Sequence, residues 1–142
     1  MKTIRENEAG ASAVEFAIVL PLLVVILFGI VEFSTMLYNK AVLTNASREA
    51  ARLGILFKSG ERDPASEDAE IISAINTYTA SNLVTFGPEQ NVATSIAREG
   101  FEAGNPLTVS VSYQYDFLIL PEIVTSLSGP LNISATTIMR ME

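Results

Sequence analysis

The hydrophobic pattern of this chain divides it into two regimes. Residues 16–31 form an apolar run of 16 residues broken only by Pro21 and Gly29, and the flanking triplets Val14-Glu15-Phe16 and Val31-Glu32-Phe33 hold the nearest charges. From Ala11 to Val31 there are 21 residues; as a helix they rise about 31 Å, the thickness of bilayer hydrocarbon at roughly 30 Å. No polar stripe divides this stretch, which sets it apart from the core helix of a soluble domain. A secretory signal has a shorter apolar core followed by a small-residue cleavage site, and Phe28-Gly29-Ile30-Val31-Glu32-Phe33 offers none. The pattern therefore predicts one transmembrane helix over about residues 13–32.

Past Glu32 the pattern becomes amphipathic. Phe33, Met36, Leu43, Ala46, Ala50, Leu53 and Phe57 keep helical spacing, with a gap at Asn39-Lys40, while Arg48, Glu49 and Arg52 fall between them. The helix is expected to run on over residues 11–57, about 70 Å. Two uses are open to the small side chains Ala46 and Ala50: close packing against another helix, or packing on the chain's own head. Lys58 to Pro64 reads as a turn. Asp63 as N-cap and Pro64 at the first helical position start a second helix, whose apolar stripe is Ile71, Ile72, Ile75, Tyr78 and Leu83.

From Gly87-Pro88 onward the period changes from 3.6 to 2. Val92, Thr94 and Ile96 alternate with small residues; Leu107, Val109, Val111, Tyr113 and Tyr115 alternate with polar ones, and Leu131, Ile133, Ala135, Thr137 and Met139 alternate with Asn132, Ser134, Thr136, Ile138 and Arg140. The connection between the last two strands is apolar at Phe117 to Leu120, suits a short helix at Glu122 to Leu127, and reads either as buried or as a partner surface. The predicted fold is α+β: a long N-terminal helix, membrane-spanning in its first half, and a small head in which a second helix packs on an antiparallel three-stranded sheet. The partition is a leader at 1–10, the long helix at 11–57 and a soluble acidic head at 58–142.

Composition narrows the chemistry. The chain has no Cys and no His, which removes thiol nucleophiles, disulfides and the commonest metal ligand and general base. Residues 1–60 carry a net charge of +1 and residues 61–142 a net charge of −8. So acidic a head repels phosphate, and nucleic acid is excluded as a partner. The Lys/Arg counts flanking the span tie, so charge leaves its orientation open. Glu67, Asp68 and Glu70 match no calcium-loop spacing and suit the positive end of the second helix. No phosphate-binding glycine loop, metal centre, cofactor site or catalytic constellation is expected, and the chain reads as a structural protein. Asn45-Ala-Ser47 and Asn132-Ile-Ser134 match the glycosylation pattern, a short pattern taken here as coincidence.

Gly10-Ala-Ser-Ala-Val-Glu15 followed by a membrane-length helix resembles the processing site of type IV prepilins. The fuller series is Gly10-Ala-Ser-Ala-Val-Glu-Phe-Ala-Ile-Val-Leu-Pro21, then Phe28-Gly-Ile-Val-Glu-Phe33, then Leu43-Thr-Asn-Ala-Ser-Arg-Glu-Ala-Ala-Arg52. It resembles TadE-type proteins, pseudopilin-like minor components of tight-adherence (Flp-type) pilus systems. The resemblance implies cleavage between Gly10 and Ala11 by a prepilin peptidase and a helix held in the bacterial cytoplasmic membrane, with the leader cytoplasmic and the head periplasmic or extracellular. It also implies as partners membrane lipid, other minor pseudopilins, the assembly platform and the major pilin. A carboxylate inside a membrane span costs a few kcal/mol and usually has a partner. After cleavage the α-amine of Ala11 lies four residues before Glu15, on the same helical face. The other reading of Glu15 is a headgroup-level charge that complements the helix N-terminus. The alternative function is an unprocessed single-pass anchor carrying a binding or sensor module.

Overall fold

The computed structural model describes residues 2–56, 58–60, 62–85, 91–117 and 131–142, with side chains from Gly10 onward. Five elements follow in chain order: α1 (Lys2–Ile55), α2 (Pro64–Asn82), β1 (Ala93–Arg98), β2 (Pro106–Tyr115) and β3 (Leu131–Arg140). The strands form one antiparallel sheet in the order β1-β2-β3. This is the α+β arrangement that the change of period predicts.

α1 differs from expectation at both ends. It takes in residues 2–10 as well, because Lys2, Arg5, Glu6 and Glu8 are good helix formers and extending an existing helix adds one hydrogen bond per residue fixed. It ends at Ile55, where Glu142 N–H donates to the Ile55 carbonyl at 3.1 Å and the Arg62 guanidinium donates to the Gly54 carbonyl at 3.2 Å. These bonds satisfy carbonyls that a helix terminus leaves without partners. Two compact units result, Met1–Ser34 and Thr35–Glu142. The second half of α1 thus belongs to the head.

The head core joins Leu43, Ala50 and Ala51 of α1, Ile71 and Ile75 of α2, the alternate residues of β2, and Ile133 and Ala135 of β3. β2 is the central strand: Leu107, Val109, Val111, Tyr113 and Tyr115 are buried, while Thr108, Ser110, Ser112 and Gln114 lie on the other face. Fully burying one such aliphatic side chain is worth about 1.5–3 kcal/mol. The register runs from Pro106 opposite Arg140 to Tyr115 opposite Leu131, and from Ala93 opposite Ser112 to Arg98 opposite Leu107. A slip of one residue would expose the whole β2 core set. α2 starts as its sequence signals require: Asp63 caps it by accepting from Ala65 N–H and Ser66 N–H, both at 3.2 Å. Its stripe is corrected at one end. Ile71 and Ile75 are buried but Ile72 is exposed, and Thr79 takes the next core position, four residues after Ile75, its hydroxyl donating to the Ile75 carbonyl at 2.8 Å. Phe57, Gly87-Pro88, Leu118 to Leu120 and the short helix expected at Glu122 to Leu127 lie outside the described residues.

At Gly54 α1 packs tightly against the core. A Cβ there would stand 2.6 Å from Leu107 Cδ2 and 2.7 Å from Ile71 Cδ1, both on fully buried side chains. Gly54→Ala gains up to about 1 kcal/mol of helix propensity and costs about 1–3 kcal/mol in overpacking. The expected result is a lower unfolding midpoint in near-ultraviolet circular dichroism of the detergent-solubilised chain; an equal or higher midpoint would contradict the close packing.

Candidate functional site

The N-terminal unit presents the residues that the sequence singles out. From Gly10 through Leu27 every side chain is exposed, and this part of α1 contains a window of mean hydropathy 2.9 with none of it buried. By length and composition it can cross a membrane. Pro21 lies inside the helix without ending it, as membrane helices tolerate. Gly10 is helical and exposed, and a Cβ built on it meets nothing within 4 Å. Glycine in such a place costs about 1 kcal/mol of helix stability relative to alanine, and nothing that it packs against within the chain requires it. Ala11 follows in the same exposed helix, and Glu15 one turn later has no partner among the described residues. Glu32, at the far end of the apolar run, is buried.

The second half of α1 is sorted by face. Ala46 and Ala50 are 1% and 0% exposed, and Ser47 and Ala51 are buried with them, whereas Arg48, Glu49 and Arg52 point to solvent. Both alanines are thus buried within the head itself. Ser47 Oγ shares a 2.7 Å hydrogen bond with Thr137 Oγ1 of β3, across 90 residues. The outward face of α1 is formed instead by Leu37, Ala41, Asn45, Arg48 and Arg52.

Two polar features that periodicity does not reveal hold this half of α1 in place. Asn39, in the gap of the apolar stripe, is fully buried; its Nδ2 donates to the Val84 carbonyl at 2.7 Å and its Oδ1 accepts from Val84 N–H at 3.0 Å. One amide side chain thus satisfies both backbone groups of a residue just beyond α2.

The other feature lies where α1 ends and α2 begins. Glu67, in the first turn of α2, receives a forked pair of hydrogen bonds from Arg62, Nε to Oε1 at 2.8 Å and Nη2 to Oε2 at 2.7 Å. Arg98, at the end of β1, reaches the same carboxylate at 3.4 Å and pairs with Asp68. Phe101 offers its ring to both cations, 4.4 Å from Arg62 Cζ and 5.0 Å from Arg98 Cζ, the geometry of a cation–π contact. The side chains of Arg62, Glu67 and Arg98 are only 11%, 7% and 10% exposed. The Arg62 hydrogen bond, with added attraction from Arg62, Lys58 and Arg98, holds the Glu67 carboxyl below its usual range against the opposing effect of burial. Arg62 is raised chiefly by the same hydrogen bond, while burial is the main influence lowering Arg98. The acidic cluster of α2 is therefore more than a set of charges at a helix N-terminus: two of its members are ion-paired across the head. What signal the sequence held was the company of Arg62 and Arg98 with these acids in a domain otherwise poor in cations.

Among the described residues no group of Asp or Glu side chains is arranged to hold a metal ion. What the arrangement offers is attachment: an exposed apolar helix in the N-terminal unit, and a folded head in which Asn39 and the Arg62–Glu67–Arg98 network fasten its own elements. No curated protein and no solved structure matches the chain. Residues 10–52 match the family model described as TadE-like protein. Over that stretch of α1, then, the chain is similar to the TadE-like family.

Proposed function

We propose that this protein is a minor pilin-like subunit in the assembly of a tight-adherence (Flp-type) type IV pilus. The observation that carries the reading is the coincidence of the TadE-like match at residues 10–52 with the one described helix apolar enough to span a membrane. In this reading a prepilin peptidase removes residues 1–10. The new α-amine of Ala11 neutralises Glu15 within one subunit or between neighbours, and the helix stays in the cytoplasmic membrane with the head outside. Other minor pseudopilins, the assembly platform and the major pilin are the partners. Gly10 supports this reading, because a residue that costs helix stability and fills no packing role is best explained by a requirement imposed from outside the fold.

A second reading, an unprocessed anchor with a binding or sensor head, is favoured by the uninterrupted helix across Gly10 and Ala11. One experiment separates the two. Mass spectrometry of the chain purified from cells with an active peptidase is expected to find an N-terminus at Ala11, with Gly10→Ala retaining Met1 and losing surface pili. Since alanine strengthens this helix, such a loss could not be blamed on misfolding. An intact Met1 in the unaltered protein, or full piliation by Gly10→Ala, would favour the anchor.

A further inference from the structure

Where the head begins, β3 and α1 form a groove of about 260 Å³ lined by Met36, Leu37, Lys40, Leu131, Asn132, Ile133 and Ser134. Its walls are mainly apolar, with Asn132, Ser134 and the charge of Lys40 as the polar members. Leu37 is 52% exposed, and Met36 and Leu131 are half-buried, so the apolar lining is open to a ligand. Lys40 Nζ donates to the Ser134 carbonyl. An ammonium has three N–H donors, which leaves two of them for a ligand, and Lys40 forms no ion pair among the described residues.

We infer that this groove binds the phosphate of an anionic phospholipid, with Lys40 on the phosphate and Met36, Leu37 and Leu131 against the glycerol and upper acyl chain. The inference rests on the membrane-anchor part of the reading above. Lys40 stands eight residues after Glu32, a helical rise of about 12 Å. The headgroup layer on each side of the hydrocarbon is about 5–7 Å deep. A lysine stem on a helix leans toward the helix N-terminus, and long cationic side chains reach for the headgroup layer while their stems cover apolar surface. The eight-residue step of chain from Glu32 to Lys40 is short enough for that reach.

Charge selects the ligand. Residues 61–142 carry a net charge of −8, so an anionic bilayer repels the head as a whole, and a cation at the point of contact is the local counterpart of that repulsion. Arg52, Lys58, Arg62 and Arg98 are engaged with Glu49, Glu70, Glu67 and Asp68. Arg48 forms no such pair but stands 16 residues past Glu32, about 24 Å of helix and too far for the same phosphate.

The test uses the full chain reconstituted in vesicles of phosphatidylcholine mixed with phosphatidylglycerol, extracted in mild detergent, with co-purifying lipids counted by native mass spectrometry. Phosphatidylglycerol is expected to be retained over phosphatidylcholine. Lys40→Gln should lower that preference about fivefold, the effect of one basic residue at an anionic surface, while Lys40→Arg and Arg48→Gln keep it. Equal retention of both lipids, a preference that survives Lys40→Gln, or an equal loss in Arg48→Gln overturns the proposal. So does uptake of inorganic phosphate by the lipid-free chain that Lys40→Gln abolishes, which would make a soluble anion the ligand. Vesicle flotation separates the two levels: a chain that floats without lipid preference defeats this site alone, and a chain that does not float defeats the anchor as well.

Discussion

Glu67→Gln is expected to destabilise the head by about 3 kcal/mol, the low end of the cost of removing one partner from a buried ion pair. Arg62 and Arg98 would keep their charges at about one-tenth exposure with only the Asp68 carboxylate and the Phe101 ring to answer them. The loss reaches three elements at once, since Arg62 also holds the last turn of α1 and Arg98 ends β1. The four tyrosines, two of them buried on β2, provide the readout: near-ultraviolet circular dichroism against denaturant in detergent, where the spanning helix contributes little. The sign of the pH dependence follows from the lowered carboxyl of Glu67. Its stabilisation is fully present above the unfolded pKa of about 4.3 and is lost as pH falls through the lower folded value. The gap between wild type and Glu67→Gln should therefore be constant near neutrality and narrow in acid, below about pH 4. A gap that stays unchanged into acid would mean that the charge of Glu67 is not what holds the network.

Asn39→Ala is expected to cost about 2 kcal/mol, the sum of two hydrogen bonds of about 1 kcal/mol each. Val84 is 39% exposed, so water can satisfy part of what its backbone loses, which keeps the figure below that of a fully buried pair. The specific readout is amide hydrogen exchange. Val84 N–H donates to Asn39 Oδ1, and its exchange should rise in Asn39→Ala by more than that of amides in the β2–β3 ladder. Uniform loosening of the whole head would show that Asn39 fills space rather than fastening α1.

What the sequence by itself determined are the properties that depend on neighbours along the chain. A membrane-length helix is legible because bilayer thickness translates into a count of apolar residues, and β2 because side chains alternate faces at every residue. The start of α2 is legible because capping is a transaction among Asp63, Pro64, Ala65 and Ser66. The TadE-like blocks were visible for the same reason, being contiguous, and the family match covers the same stretch. Tertiary structure decided which partners meet across long separations. Periodicity marks Asn39 only as an interruption, since its partner is 45 residues away. It groups Glu67 with its helix neighbours, although one of its cations comes from 31 residues downstream. It cannot say whether Ala46 and Ala50 serve another helix or the chain's own head, because a small side chain is equally suited to both; in the folded head both are buried, and beside them Ser47 meets Thr137 of β3. Local periods encode the elements, but the pairing of buried polar groups depends on where the chain returns, and there the cost of an unpartnered charge or amide selects one arrangement.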